Sequence, residues 1–351
     1  MDDRERLEVR LREWGATDDE IAAAVATGTI GALALELALR RGEPLTLDEA
    51  AAASGVEPDK LTELWRAFGL AAGSRATYPT DLVAAMPVMS TTLQWLGADT
   101  LLGLGRVFGG ATAQIAESIV DSFRTDFELP AIAAGTRYSD VVERYQSIAR
   151  TGLPAVEELL TALLRAHLVR VAAGSWLPDT ENASAHRDLF VGFVDLVGYT
   201  ALSRTLPPRE LAALLRDFEH TVADVITREG GRLVKLIGDG AMFIAESADA
   251  GCAIAIGLCQ RIAASDQLPP AGVGADAGSV LSLYGDYYGD VVNRAARLVA
   301  LAAPSTIAVS DAVAARAQGF DFEQLPPSAL KGFAVESIAY RLAPDSGVPE
   351  G

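Results

Sequence analysis

Two hydrophobic patterns divide the chain. Through residues 1–175 Ala and Leu dominate and β-branched runs are sparse, which predicts an almost wholly helical region. Within it TLDEAAAASGVEPDKLTELWRAFGL (46–70) predicts a helix, a glycine-containing turn and a second helix with Leu61, Leu64, Trp65 and Phe68 on one face. A helical run from about Val83 to Phe123 follows, carrying Trp95, Leu96, Leu101, Leu102, Leu104 and Phe108. Another, from Tyr138 to Arg170, ends in EELLTALLRAHLVRVAA and is a candidate connecting helix.

The polar stretch SWLPDTENASA (175–185) marks a domain boundary, giving an all-helical region 1–180 and a second region 181–351. Beyond it the periodicity changes. LFVGFVDL (189–196) reads as a buried strand, and 207–231 as a helix opened by proline and closed by Gly230. RLVKLI and AMFIAE flank Gly238-Asp239-Gly240, a hairpin signal. A helix over 247–264, a strand near 271–284, helices over 290–302 and 311–318, the strand TIAVS (306–310) and two closing strands complete an α+β alternation.

Composition narrows the function classes. Half of the 351 residues are apolar and 22% are charged, as in a globular protein. The net charge of −18 is spread along the chain, with 16 basic against 26 acidic residues in 1–180 and 13 against 21 in the remainder. Nucleic acid and anionic membranes need basic patches, so neither is an expected partner. The acidic, charged start is unlike a secretory signal, and the longest uncharged runs fall short of the roughly 20 apolar residues of a membrane span. These features predict a soluble, cytoplasmic protein with no membrane span. Cys252 and Cys259, seven apart on a predicted helix, stand roughly 10 Å apart at about 1.5 Å rise per residue, too far for a disulfide. They read as small core residues.

Candidate chemistry concentrates in FVDLVGYT (193–200), KLIGDG (235–240) and GDYYGDVVNRAARL (285–298). Asp195 at a strand end and Asp239 in a turn are two carboxylates that repel each other unless a cation lies between them. Hard oxygen ligands of this kind suit Mg²⁺ or Mn²⁺ alongside substrate phosphates. Asn293 and Arg297, four apart, share one face of a helix beginning just after Gly289, and the guanidinium fork can brace phosphoryl oxygens. The chain has only three lysines among its 29 basic residues, Lys60, Lys235 and Lys331. In so Arg-rich a sequence, Lys235 on an apolar strand suggests a compact point-charge donor.

Together, in this order and spacing, the three motifs resemble the catalytic domain of a class III nucleotidyl cyclase over about residues 187–342. The resemblance implies a ferredoxin-like βαββαβ sandwich with extra strands and catalysis at the interface of a twofold homodimer. It implies that Asp195 and Asp239 bind two Mg²⁺ or Mn²⁺ ions, that Lys235 and Asp286 read the adenine edge of ATP, and that Asn293 and Arg297 orient the ribose and stabilise the transition state. Lys331 would contact the terminal phosphates. Lysine donates to an unprotonated ring nitrogen and aspartate accepts from an exocyclic amine, so ATP is favoured over GTP. Two departures stand out: Tyr199, where Phe is commoner, and Arg294, an added charge beside Asn293.

Residues 1–180 resemble the helical regulatory domains that precede the catalytic domain in some actinobacterial cyclases. That implies control of how the catalytic halves meet, with a small ligand or a proton as the expected signal. A guanylyl cyclase, a non-enzymatic cyclase-like sensor and a helix-turn-helix regulator acting through 46–70 are the alternatives. The last is disfavoured by the acidity of that segment, whose basic residues are Lys60 and Arg66. A P-loop NTPase is disfavoured because GxxxxGK[ST] does not occur.

Overall fold

The computed structural model describes residues 2–73, 76–92, 95–175, 186–326 and 338–344. The chain divides into two compact units, Met1–Pro178 and Asp179–Gly351. Most of the polar stretch at 175–185 lies outside the described residues.

The described part of the first unit is helical apart from an isolated bridge between Leu45 and Tyr78. Its helices are α1 (Asp3–Glu13), α2 (Asp18–Thr27), α3 (Ile30–Leu39), α4 (Leu47–Ser54), α5 (Pro58–Ala67), α6 (Thr80–Thr92), α7 (Ala98–Phe123), α8 (Leu129–Ala133) and α9 (Tyr138–Ser175). Asp2, Thr17 and Thr46 each open a helix through a reciprocal cap with a glutamate three residues on, satisfying amides that have no intrahelical acceptor. Leu7, Leu11, Ile21, Leu33, Leu37 and Val142 join α1, α2, α3 and α9 in one core. In the 46–70 segment, Leu61 and Trp65 are fully buried with Tyr78, Val83 and Met86, so the apolar face of α5 is spent on packing.

The helical run expected from Val83 to Phe123 is two helices. Gly97 takes an extended conformation as the N-cap of α7, which leaves Trp95 and Leu96 in the turn between α6 and α7. The final helix is longer than expected, running to Ser175. Among the described residues no helix is long and apolar enough to cross a membrane.

The second unit begins β1 (His186–Leu196), α10 (Tyr199–Leu202), α11 (Pro208–Arg228), β2 (Arg232–Ile237), β3 (Gly240–Ala245), α12 (Ala248–Ala263) and β4 (Ala271–Leu283). It continues β5 (Asp286–Tyr288), α13 (Asp290–Leu298), β6 (Ile307–Ser310), α14 (Asp311–Arg316), β7 (Phe322–Gln324) and β8 (Ala339–Leu342). The strand order is β2-β3-β1-β4-β6-β8-β7, with β5 paired to β4. The first four strands and helices α11 and α12 form the expected ferredoxin-like βαββαβ, and the strands beyond β4 extend its sheet. The β4–β6 pair is parallel and the others are antiparallel. The helix expected over 290–302 ends at Leu298 and passes into a 3₁₀ turn, Val299–Leu301.

Each face of the sheet has its own core. Phe190, Val194 and Leu196 of β1 pack with Phe218, Val222, Cys252 and Cys259 under α11 and α12. Alternate residues Leu189 and Val191 pack with Met242, Val280, Tyr287, Val291 and Ala295 under β5 and α13. Both cysteines are buried and unbridged, and burial pushes each thiol up to about 12. At Gly274 the backbone of the turn after α13 lies so close to β4 that an added Cβ would stand 1.9 Å from the Val299 amide nitrogen.

Candidate active site

Strand parity and one tight turn bring two carboxylates together. Asp195 follows Val191 by an even step, so it lies on the α13 face of β1, opposite Gly240 in the antiparallel register. Asp239 is the second residue of the two-residue turn between β2 and β3. Gly238 opens that turn at φ 62°, which glycine adopts without strain. The Asp239 carbonyl accepts from the Leu196 amide at 3.2 Å, tying the hairpin tip to the end of β1. Burial of part of the Asp195 carboxyl, and then the negative charge of Asp239, push it up from its ordinary value. Asp195 still keeps an open side to solvent.

That donor set fits a divalent ion. No cluster of three or more His, Cys, Asp or Glu residues able to hold a metal occurs among the described residues. Two mutually repelling carboxylates with an open side supply part of an oxygen shell and leave positions for water and phosphate, as Mg²⁺ sites at nucleotides do. Asp195 and Asp239 are the residues that would hold it.

On the same sheet face, Lys235 and Asp286 form an ion pair, with Nζ donating to Oδ2 at 2.5 Å. A register shift in β2 makes this contact. Leu233 pairs with Phe243 but Lys235 pairs with Met242, so Val234 is an extra residue, a β-bulge. The bulge turns Lys235 to the side where Arg232 already points, although residues three apart in a regular strand face opposite ways. Arg232 in turn donates to the Gly285 carbonyl at 3.2 Å and the Tyr287 hydroxyl at 2.9 Å, with its guanidinium carbon 5.2 Å from the Tyr287 ring centre. Arg232 thereby holds the β4–β5 turn that presents Asp286. Sequence reading missed Arg232, because the bulge that aligns it with Lys235 leaves no pattern in RLVKLI.

Helix α13 carries Asn293 and Arg297 on one face, away from its buried Val291, Ala295 and Leu298. Between them Arg294 donates from Nε to Asp276 Oδ2 at 2.7 Å, so the added charge noted in the sequence is turned into the sheet. Tyr199 packs against the core under α11 and α12. The six described candidates therefore stand as three adjacent pairs: Asp195 with Asp239, Lys235 with Asp286, and Asn293 with Arg297. Lys331 lies outside the described residues.

No family model matches the chain. An adenylate cyclase of Streptomyces coelicolor is 32% identical over 269 residues, covering 76% of this chain and 70% of the relative. The chain belongs to the class III nucleotidyl cyclases. The likeness extends through both units of this cyclase: an uncharacterised protein of Mycobacterium tuberculosis is 31% identical over 354 residues, covering 97% of this chain and 90% of the relative. A pH-sensitive adenylate cyclase of M. tuberculosis is 25% identical over 370 residues, covering 97% of the cyclase and 88% of the relative.

Proposed function

We propose that this cyclase converts ATP to 3′,5′-cyclic AMP and pyrophosphate in composite sites formed by two copies of the chain. The observation that carries the choice of base is the Lys235–Asp286 pair. Its ammonium offers a donor for the unprotonated ring nitrogen of adenine, and its carboxylate an acceptor for the exocyclic amine. Guanine presents the reversed edge at both positions, so the same pair leaves its groups unsatisfied.

In the reaction the ribose 3′-oxygen bonds to the α-phosphorus, the bond from that phosphorus to the bridging oxygen of the β-phosphate breaks, pyrophosphate leaves and the hydroxyl proton passes to water. Asp195 and Asp239 hold the two divalent ions, Mg²⁺ or Mn²⁺, which when bound supply charge to activate the 3′-oxygen and neutralise the phosphates. Asn293 orients the ribose. Arg297 offsets the charge that develops on the α-phosphoryl group, so most of the catalytic gain is positioning and charge stabilisation. Lys331 contacts the terminal phosphates. In each site Asp195 and Asp239 come from one copy, and Lys235, Asp286, Asn293 and Arg297 from the other.

Residues 1–180 act as a regulatory, autoinhibitory domain and 181–351 as the catalytic domain of a cytoplasmic enzyme. A proton or a small apolar ligand shifts the balance between separated and closed catalytic dimers. What supports an apolar ligand is a cavity of about 280 Å³ between α3, α7 and α9, lined by Leu35, Leu39, Val120, Phe123, Ile148 and Leu153 among others. What supports a proton is the pH-sensitive relative noted above. The test is cyclic nucleotide formation from ATP and from GTP with Mg²⁺ or Mn²⁺, for the full chain and residues 181–351 across pH. Preference for GTP would overturn the base assignment, and identical pH profiles would overturn the regulation.

A further inference from the structure

Asp276 is the only fully buried charged residue among the described residues, and its side chain has no exposure to solvent. It sits in β4 opposite Val191 of β1, in the middle of the sheet. Oδ1 accepts from the Ala277 amide at 2.8 Å and from the Ser310 hydroxyl at 2.5 Å, while Oδ2 accepts from Arg294 Nε at 2.7 Å. Ser310 is itself fixed, since its oxygen also accepts from the Val313 amide at 3.2 Å as the cap of α14. The guanidinium of Arg294 reaches on to Asp311 at 3.4 Å. One buried carboxylate thus ties β4, the end of β6 and α13 together.

A buried carboxylate deprived of its cation is strongly unfavourable, so this contact tolerates little displacement. The second anchor of α13 is the close approach of its C-terminal turn to Gly274. Two anchors fix both the slide of a helix along the sheet and its rotation about its own axis. Arg294 stands about 100° around the helix from Asn293 and about 60° from Arg297, so a small roll at Arg294 moves both.

We infer that Arg294, held by the buried carboxylate of Asp276, is a positioning residue for the cyclase reaction: it sets the rotation of α13 and so the places of Asn293 and Arg297. The inference rests on the roles proposed above for those two residues. Arg294 touches no substrate in this scheme and acts through its neighbours.

The experiment uses full-length chains carrying Arg294→Gln, Arg294→Lys, Arg297→Ala or Asp195→Ala, alone and mixed, with kcat and KM for ATP measured on each. Arg294→Gln is expected to lower kcat about 10- to 100-fold, the scale of an ångström-sized misplacement. Its KM should stay within about twofold, because the base-reading pair lies on β2 and β5 and not on α13. Arg294→Lys, which keeps the charge, should recover part of the loss. In mixtures Arg294→Gln should restore activity to Asp195→Ala, which supplies an intact α13, and should rise no higher than its own residual rate with Arg297→Ala, whose defect lies on the same helix.

Unchanged kcat in Arg294→Gln, a loss carried by KM alone, or a folded dimer that complements neither partner would overturn the inference. Should Arg294→Gln fail to fold, Asp276→Asn/Arg294→Gln removes the buried charge together with its partner and is read in the same way. Full activity of Arg297→Ala would overturn the underlying roles and the inference with them. An inactive Arg297→Ala beside a fully active Arg294→Gln would overturn the inference alone.

Discussion

Lys235 and Asp286 meet at 2.5 Å although their strands share no backbone pairing, β2 being bonded to β3 and β5 to β4. The contact is made by side chains reaching across the sheet face. Both groups are partly open to solvent, so the pair adds little to stability and its worth lies in recognition.

Lys235→Ala should reduce kcat/KM for ATP by about 10- to 100-fold, the cost of losing one charged hydrogen bond to a substrate. Replacing the pair as Lys235→Glu/Asp286→Ala reverses the polarity presented to the base. It should raise the ratio of GTP to ATP turnover above that of the wild type, and initial rates with each nucleotide measure it. An unchanged ratio would remove the pair from base reading.

Chains with Asp195→Ala and with Arg297→Ala should each be inactive, and an equimolar mixture should regain part of the wild-type rate. Each mixed dimer holds one site with both halves intact. Folded, dimeric mutants that stay silent together would exclude a shared site.

Arg232→Met keeps an unbranched apolar stem but removes the donors to Gly285 and Tyr287 and the charge over the Tyr287 ring. The turn bearing Asp286 should loosen. KM for ATP is expected to rise about 3- to 10-fold with a smaller change in kcat, the pattern of lost binding rather than lost transition-state stabilisation. Steady-state kinetics on Arg232→Met and Arg232→Lys separate the effect of charge from that of geometry.

The first unit should lose stability on acidification. The Ser139 hydroxyl donates to Asp3 at 2.5 Å, and this hydrogen bond, foremost, holds the Asp3 carboxyl below its ordinary value. Glu20 is lowered in the same way, first by the Thr17 amide and then by Arg40. A depressed folded-state pKa contributes stability that is fully present above the unfolded carboxylate value of about 4. That contribution is lost as pH falls through the lower folded value. Thermal unfolding followed by circular dichroism from pH 7 to pH 3 should show the midpoint falling below about pH 5. Asp3→Asn should fall less steeply, and parallel curves would show that Asp3 is not part of the linkage.

The sequence was enough for whatever depends on local chemistry and period. The apolar run LFVGFVDL gives a buried strand with Asp195 at its end, the GDG turn between two apolar runs gives the hairpin, and the i, i+4 spacing puts Asn293 beside Arg297. These are short-range constraints; the alternation of elements gave only an α+β class, and the ferredoxin-like order came from the family resemblance. Tertiary structure alone decided the rest. The bulge at Val234 sets which face Lys235 occupies, because a register shift is chosen by packing between strands and leaves no mark in one strand's own sequence. The break at Gly97 and the anchoring of Arg294 on the buried Asp276, eighteen positions away, depend on partners that only a folded chain supplies.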